Sequence, residues 1–409
     1  MTNIKPRIVP VPSDARNPKT LIMVLFAMVM RLLIAFVVLL FPQLLFAQPA
    51  AIPIPPPPPL AAKAYLLLDF NSGQLLASQN PREHVEPASL TKLMTAYLTF
   101  AALKQKTIRP DQTVPVSERA WHSGGSRMFI EPRKPVTVDE LICGMIVQSG
   151  NDACVALAEA IAGSEEVFVQ MMNREAQRLG MNDTHFENAT GLPHAQHYSS
   201  AYDLSLLATA IIRDFPEYYP LYSLKEFRYN NISQANRNRL LWLDPTVDGM
   251  KTGFTDNAGY CLITSAKRGE RRLISVVLGT ASETARATES QKLLNYGFQF
   301  YDTVKLYQKD QSVATLQVWK GSGNSVKAGF VHALYLSLPK GQADKLKATV
   351  ESLQPLLAPI GAGQKVGVMK LTLDGKPFRE LPVVALESVP LAGLFGRGWD
   401  SLRLLLKGL

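Results

Sequence analysis

Residues 53–59 read Pro-Ile-Pro-Pro-Pro-Pro-Pro, and no other feature restricts the chain as strongly. Proline fixes φ and has no backbone N–H, so this stretch can join neither a helix interior nor the middle of a sheet. It is typical of a stiff polyproline spacer that takes no part in a core. We therefore predict a linker over residues 48–62, between a leader and a longer part that builds its own core.

The leader, residues 1–47, is predicted to direct export. Basic residues up to Lys19 precede a long apolar stretch that ends at Ala47 and is interrupted only by Arg31 and Pro42. This order of segments is typical of a signal peptide, with a small residue at the cleavage point. Because the apolar stretch is long for a signal peptide, an uncleaved N-terminal anchor is the alternative. In both cases the remainder is exported.

The net charge of +9 restricts the class of partner. Five basic residues and one acidic residue in the leader give +4, which leaves +5 for the rest of the chain. A weak, scattered positive charge suits anionic surfaces such as cell wall or phospholipid headgroups, and it does not indicate nucleic acid.

The cysteines and histidines predict neither a metal site nor a cofactor. Cys143 and Cys154 lie in apolar segments and are predicted to be buried thiols, with a disulfide as the alternative. With Cys261 they make an odd number, so at least one is unpaired. His194 and His197 lie in a polar loop that contains proline and glycine, and we predict that both are solvated.

The periodicity between residues 63 and 301 predicts an α+β domain, with an antiparallel sheet at both ends of the segment and helices between. The predicted elements are a hairpin over 64–78, a helix over 89–103, a helix opened by a capping box at Thr137 and Glu140, helices over 152–161 and 165–179, strands over 259–266 and 272–279, and a helix that begins after Ser282.

Two further segments are distinct from this domain. Residues 302–388 alternate apolar with polar side chains in short runs, with a strong hairpin turn at Asp374 and Gly375, and predict a small all-β domain. Residues 389–409 predict an amphipathic helix suited to the plane of a membrane interface, with packing on the β domain or a dimer contact as alternatives. Its predicted apolar face consists of Leu391, Leu394, Phe395, Trp399, Leu402, Leu405, Leu406 and Leu409, and Leu404 is the exception on the polar side.

Ser89 and Lys92 form the first of three motifs that carry chemistry. They lie three residues apart at the start of the predicted helix, so the hydroxyl and the amine can meet on one face. A serine needs a neighbouring base to become a nucleophile. A lysine can be that base only when it is neutral, and burial together with a nearby cation such as Lys251 would lower its pKa.

The second motif, Ser149-Gly150-Asn151, lies in a tight turn between two apolar helices. Ser149 can relay a proton to a leaving amine, and Asn151 can orient Lys92 and bind a substrate carbonyl. Because serine and asparagine are also good helix caps, a capping turn is the alternative for this motif alone.

The third motif, Lys251-Thr252-Gly253, follows a predicted turn at Asp248 and Gly249 and precedes the strands. Gly253 would let a substrate lie close against a strand edge, and the two preceding side chains can bind a terminal carboxylate. Each motif is common by itself, but the three in this order in an exported chain form a strong joint pattern.

With these motifs the chain resembles the low-molecular-mass penicillin-binding proteins, specifically the D-alanyl-D-alanine carboxypeptidases. The segments that carry the resemblance are 87–94, 148–155, 247–253 and 258–260. The resemblance implies a penicillin-recognising α+β domain, then an all-β domain and a C-terminal amphipathic membrane helix. It also implies a peptidoglycan pentapeptide as substrate, β-lactam antibiotics as covalent inhibitors, and a peripheral position on the periplasmic face of the inner membrane.

The resemblance further implies a role for each motif residue. Ser89 would form an acyl-enzyme, with Lys92 as its base and Ser149, Asn151 and Lys251 completing the proton-transfer network. The backbone N–H groups of Ser89 and of the residue after the third motif would form the oxyanion hole. The residues that would bind substrate are Lys251, Thr252, Gly253, Phe254, Arg237 and Arg286.

Arg286 has a solvated helix arginine as its alternative interpretation. Phe254 departs from the family pattern, in which relatives often carry histidine, so the rate or its pH dependence is expected to differ. For the whole chain the alternatives are a β-lactamase, a D,D-endopeptidase with the same catalytic centre, and an inactive wall-binding scaffold.

Overall fold

The structure, a computed structural model, describes residues 54–407. The predictions for the leader, for the first part of the linker and for Leu409 lie outside the described residues. The helices of the described part are α1 Lys92–Lys104, α2 Glu118–Trp121, α3 Val138–Val147, α4 Asn151–Ala162, α5 Glu165–Arg178, α6 Ala201–Asp214, α7 Leu240–Leu243, α8 Glu283–Phe300 and α9 Leu394–Lys407.

The strands fall into two groups along the chain, before and after α8. The first group is β1 Ala64–Asp69, β2 Leu75–Gln79, β3 Thr113–Val114, β4 Val136–Thr137, β5 Glu226–Tyr229, β6 Ile232–Ala235, β7 Val247–Thr255, β8 Gly259–Arg268 and β9 Arg271–Thr280. The second group is β10 Tyr301–Tyr307, β11 Ser312–Trp319, β12 Ser325–Gly329, β13 Leu334–Pro339, β14 Leu346–Ser352, β15 Leu356–Leu357, β16 Lys365–Leu373 and β17 Lys376–Ala385.

A five-stranded sheet in the order β2-β1-β9-β8-β7 joins the two ends of the first unit. All of its paired strands are antiparallel. The predicted hairpin and the two predicted strands are confirmed as β1, β2, β8 and β9. Because β7 is the last strand of the sheet, its outer edge is available for further pairing.

The helical cluster packs on this sheet around α4, which is buried from Asn151 to Ala158. The capping box at Thr137 and Glu140 is confirmed at the start of α3, and Ser282 caps α8 by accepting from the N–H of Ala285. The first helix begins later than predicted, since residues 88–91 form a 3₁₀ turn and α1 starts at Lys92. The predicted buried thiols are confirmed: all three cysteines are free and buried.

Two predictions for this unit are wrong. Asp248 and Gly249 form no turn but lie inside β7, where glycine allows the Tyr219 ring to approach; a Cβ at Gly249 would lie 2.7 Å from the Tyr219 hydroxyl. The end of the linker is not a free spacer, because Ile54 and Leu60 pack against the core between the sheet and α8.

The second group of strands forms an all-β unit, as predicted. A six-stranded sheet runs in the order β14-β16-β17-β12-β11-β15, and β10 pairs with β13. The predicted hairpin turn joins β16 to β17 with positive φ at both Asp374 and Gly375. Arg271 of β9 joins the two units: its guanidinium lies 3.4 Å from the buried carboxylate of Asp69 in β1 and donates to the Thr303 hydroxyl of β10 at 2.8 Å.

The C-terminal helix α9 exposes its predicted apolar face. The side chains exposed along it are Leu394, Phe395, Trp399, Leu402, Leu405 and Leu406, whereas Leu404, the predicted exception, is buried. The Asp400 carboxylate accepts from the N–H of Lys320 at 2.6 Å, which fixes the helix to the β unit by its polar side. Within residues 54–407, no helix is both long and apolar enough to cross a membrane.

Candidate active site

A cleft of about 540 Å³ lies beside the edge of β7 and brings the three motifs together. The predicted site residues that line it are Ser89, Ser149, Asn151, Arg237, Thr252, Gly253, Phe254 and Arg286. Lys92 and Lys251 are buried behind its wall, with 1% and 3% of their surfaces exposed. Sequence positions far apart in the chain therefore converge on one cavity, as the motif order predicted.

The hydroxyl of Ser89 is in direct contact with the amine of Lys92, whose Nζ donates to Oγ over 2.9 Å. The same Nζ donates to the backbone carbonyl of Thr190 at 2.5 Å. Thr190 was missed by the sequence analysis, because a backbone carbonyl supplied by a distant loop leaves no pattern in the sequence. The two acceptors orient the amine between that loop and the 3₁₀ turn at residues 88–91 that carries Ser89.

The environment of Lys92 favours its neutral form. Burial is the main cause that lowers its pKa to about 8, and the charge of Arg237 lowers it further, while Cys154 and Asp152 act in the opposite direction. Burial therefore acts in the predicted direction, and the charge of Arg237 assists it.

Lys251 is a second buried amine close to the first. Burial and then the charge of Lys92 hold the pKa of Lys251 well below its usual range. Its Nζ donates to the carbonyl of Thr252 at 3.0 Å. Because two neighbouring cations in a buried site repel each other, the pair favours states in which only one of the two amines is protonated.

Ser149 and Asn151 present unsatisfied polar atoms at the site. Among the described residues, the Ser149 hydroxyl and Asn151 Oδ1 are buried without a hydrogen-bond partner. The amide Nδ2 of Asn151 donates to the carbonyl of Gly124 at 2.6 Å, so its oxygen is held in one orientation. Buried polar groups without a partner are costly, so these two atoms are available to bond with a molecule in the cleft.

Asp152, which the sequence analysis also missed, fixes the turn that carries these residues. Its carboxylate is fully buried and accepts from the backbone N–H groups of Met128, Phe129 and Ile130 at 2.8–3.2 Å. A charged residue directly after Asn151, at the start of a helix whose next six residues are all apolar, was the signal that could have identified it.

Three residues at the cleft have left-handed backbones without being glycine: Ala88 at φ 49°, Phe129 at φ 69° and Ser149 at φ 67°. Such a conformation costs roughly 1–2 kcal/mol per residue, so the surrounding packing must enforce it. The concentration of strained positions beside Ser89 and Asn151 is typical of a functional site.

Gly253 allows the turn that carries Ser89 to pack on β7. A Cβ at this position would lie 3.1 Å from the carbonyl oxygen of Pro87 and 3.3 Å from Cβ of Ala88. The structure therefore gives the glycine a role in addition to the predicted one, because it brings the serine turn against the strand edge. A Cβ at this position would require the turn of Pro87 and Ala88 to shift by a few tenths of an ångström.

Arg286 is not a solvated helix arginine. Only 3% of the residue is exposed, and Nη1 donates to the carbonyl of Gly253 at 3.3 Å. Arg237 is exposed and lines the same cleft. Phe254 is 47% exposed, and its ring lies 4.3 Å from that of Tyr260, so the departure from histidine places an aromatic pair at the cleft mouth.

The prediction that His197 is solvated is wrong, whereas His194 is exposed as predicted. His197 is 3% exposed, and its Nε2 lies 2.8 Å from the Thr91 hydroxyl, between Ser89 and Lys92 in sequence. Its Nδ1 accepts from the N–H of Glu187 at 3.3 Å, so Nε2 carries the proton. The imidazole thereby connects the loop of Thr190 to the turn that carries Ser89.

The five-stranded sheet, the helical cluster and the pairing of Ser89 with a buried lysine define the penicillin-recognising class of serine enzymes. A family model described as D-alanyl-D-alanine carboxypeptidase matches residues 52–282, and one described as the C-terminal domain of penicillin-binding protein 5 matches residues 301–391. The chain belongs to the D-alanyl-D-alanine carboxypeptidase family, which confirms the resemblance.

Named relatives and solved structures extend over most of the chain. D-alanyl-D-alanine carboxypeptidase DacC of Escherichia coli is 44% identical over 351 residues, covering 84% of this chain and 88% of the relative. DacA of Haemophilus influenzae is 43% identical over 360 residues, covering 86% and 91%. The structure of penicillin binding protein 5 from Haemophilus influenzae matches with a TM-score of 0.79 at 41% identity, covering 82% and 99%.

We predict that His197 makes folding sensitive to acid. Burial is the main cause that lowers its pKa to about 4, from 6.5, so protonation favours the unfolded chain. The neutral His197 ring therefore contributes its full stabilisation above pH 6.5, and this contribution decreases as the pH falls towards 4. Each pKa unit corresponds to about 1.4 kcal/mol. Over this interval the free energy of unfolding of wild type should fall by about 3 kcal/mol more than that of His197→Gln.

Urea unfolding at several pH values measures this difference. Glutamine supplies one donor and one acceptor and does not titrate, which makes it the matched variant, and His194→Gln at the exposed neighbour is the control. Equal acid sensitivity of wild type and His197→Gln would contradict the assignment.

Proposed function

We propose that this protein is a serine-type D-alanyl-D-alanine carboxypeptidase that removes the terminal D-alanine from peptidoglycan pentapeptides through an acyl-enzyme. The observation that carries the proposal is the 2.9 Å contact between the Ser89 hydroxyl and the buried Lys92 amine at the edge of β7. A neutral amine in that position is a general base for the hydroxyl.

In the proposed reaction Lys92 accepts the Ser89 proton while Oγ attacks the carbonyl of the D-Ala-D-Ala bond. The backbone N–H groups of Ser89 and Phe254 would stabilise the oxyanion. Ser149 would pass a proton to the leaving D-alanine, in a network with Asn151 and Lys251. Lys92 then activates the water that hydrolyses the acyl-enzyme, which restores free Ser89.

The terminal carboxylate of the substrate would lie at the β7 side of the cleft. Arg237 and Arg286 supply two guanidinium groups there, and Thr252 supplies a hydroxyl. Guanidinium groups bind carboxylates through charge-assisted hydrogen bonds, which a peptide amide cannot replace. This arrangement favours removal of a C-terminal residue over endopeptidase cleavage within a chain.

A β-lactam would acylate the same serine. The structure of penicillin-binding protein D2 from Listeria monocytogenes in its ampicillin-bound form matches with a TM-score of 0.55 at 32% identity, covering 59% of this chain and 99% of that one. We propose that penicillins inhibit this enzyme covalently at Ser89. The β unit and α9 are additions that a soluble β-lactamase does not need.

The direct test is incubation with a pentapeptide that ends in D-Ala-D-Ala, followed by measurement of free D-alanine. Wild type should release D-alanine and become labelled by fluorescent penicillin, and Ser89→Ala should do neither while its thermal unfolding is unchanged. Ser123→Ala, at a nearby half-buried serine outside the cleft lining, is the control. Penicillin labelling of Ser89→Ala would refute the assignment, and rapid penicillin turnover by wild type would favour the β-lactamase.

The proposed base predicts how acylation depends on pH. Lys92 accepts a proton only when neutral, and its pKa is about 8, lowered mainly by burial. The second-order rate constant for penicillin acylation should therefore fall about tenfold per pH unit below 8 and level off above it. A stopped-flow pH series from 6 to 10 measures it; a flat profile would exclude Lys92 as the base.

For location, we propose that the chain is exported through its leader and held at the periplasmic face of the inner membrane by α9. Six apolar side chains of this helix face solvent, and its polar side contacts the β unit through Asp400. A helix with this division lies in the plane of a bilayer interface, where its apolar face is removed from water.

Deletion of residues 391–409 should release active enzyme from membranes. The measurement is membrane fractionation with fluorescent penicillin as the label, compared with full-length protein and with Leu394→Glu/Leu405→Glu, which keeps the helix but charges its apolar face. If the truncated enzyme stays in the membrane fraction, the leader is an uncleaved anchor and α9 has another role.

A further inference from the structure

A second cavity of about 610 Å³ adjoins the catalytic cleft. The two share a boundary formed by Arg127 and Phe129, which line both. Trp121 and Ile130 line the second cavity only, so it offers aromatic and aliphatic surface beside the shared boundary. A molecule bound at Ser89 can therefore extend past Arg127 and Phe129 without leaving the protein surface.

The shared boundary is rigid. The Phe129 N–H donates to the buried carboxylate of Asp152 at 2.8 Å, and the two neighbouring N–H groups bind the same carboxylate. From the other side, Gln234 of β6 donates to the carbonyl of Arg127 at 3.1 Å. These contacts hold Phe129 at φ 69°, although 39% of the residue is exposed. Packing of the ring in a core therefore does not explain the strained backbone at this position.

Arg127 has a free guanidinium at this boundary. The group lies 5.3 Å from the centre of the Phe129 ring, and over residues 54–407 it has no ion pair with a carboxylate. The neighbouring carboxylate of Glu131 is already engaged, since it pairs with Lys134 at 2.7 Å and accepts from Asn230 at 3.0 Å. Arg127 is therefore available for an anion that comes from the cleft.

The position of the boundary defines which part of a substrate it meets. The proposed carboxylate-binding groups, Arg237 and Arg286, lie on the β7 side of the cleft. The segment of Arg127 instead adjoins the turn of Ser149 and Asn151, where the N–H of Asn151 donates to the Ser126 carbonyl at 2.6 Å. If the C-terminus of a peptide lies on the β7 side, the upstream portion, which remains on Ser89 as the acyl group, runs past Asn151. That portion meets Arg127 and Phe129.

We propose that Arg127 and Phe129 form a subsite for a carboxylate-bearing side chain or acyl group upstream of the D-Ala-D-Ala bond. The aliphatic part of that group packs on the Phe129 ring, and its carboxylate pairs with the Arg127 guanidinium. This inference rests on the proposed function, because it names the substrate class that the same site prefers.

The test compares two N-acylated D-Ala-D-Ala dipeptides, one with a glutaryl group and the other with its neutral methyl ester. Wild type should show a kcat/KM about tenfold higher for the glutaryl substrate, the size typical of a charge-assisted hydrogen bond. In Arg127→Gln the ratio of the two values should fall to about one, whatever the variant does to each value. Arg174→Gln, at an exposed arginine of α5 outside both cavities, should keep the wild-type ratio.

Two outcomes overturn the subsite: equal kcat/KM for both substrates in wild type, or an unchanged preference in Arg127→Gln. Acylation by a penicillin with a carboxylated side chain, compared with its amide, measures the same ratio without peptide turnover. If neither dipeptide releases D-alanine, the proposed carboxypeptidase activity fails. The penicillin ratio then still decides the subsite, since loss of the carboxylate preference in Arg127→Gln supports it and an unchanged ratio overturns it.

Discussion

Burial of the Lys92 amine is the constraint on which the rest of the site depends. Lowering the pKa of Lys92 from 10.5 to about 8 corresponds to about 3 kcal/mol by which the fold disfavours the ammonium form. The apolar packing of α1 against α4 provides that burial. The Ser89 hydroxyl and the Thr190 carbonyl then give the amine hydrogen bonds without a carboxylate partner that would fix its charge.

Asp152 supports the strained segment at Phe129. Asp152 binds three consecutive N–H groups of the segment around Phe129 and begins the helix that buries Lys92. The turn at Ser149 and the segment at Phe129 are thus parts of one assembly, and neither can relax without exposing a buried carboxylate. Removing that carboxylate would disturb the catalytic turn and the second cavity together.

The sequence predicted well whatever follows from local pattern. The β1–β2 hairpin, the capping box at Thr137, the β16–β17 turn and the three motifs all arise from residues close together in the chain, and the structure has them. Ser89 and Lys92 could be paired because helical spacing alone brings positions i and i+3 together.

Features that depend on distant segments escaped the sequence analysis. His197 lies in a polar loop that resembles a solvated one, and only the tertiary fold brings it under Thr91. Asp248 and Gly249 have turn composition, but burial against Tyr219 and pairing with β8 override it. On a helical wheel Leu404 falls among the polar residues of α9. The wheel does not show that this side of the helix faces the β unit, where Leu404 is buried.

Arg286 and Arg127, which both line the cleft, differ in how firmly the fold fixes them. Arg286 donates to the Gly253 carbonyl from a buried position, so its orientation is set before any substrate arrives, whereas Arg127 is half-buried and its guanidinium lies over the ring of Phe129. A fixed guanidinium suits a group that every substrate carries in the same place, such as a terminal carboxylate. A less constrained one suits the more variable upstream portion. In the proposed site, recognition of the invariant end therefore belongs to β7, and selection among substrates belongs to the segment that Asp152 supports.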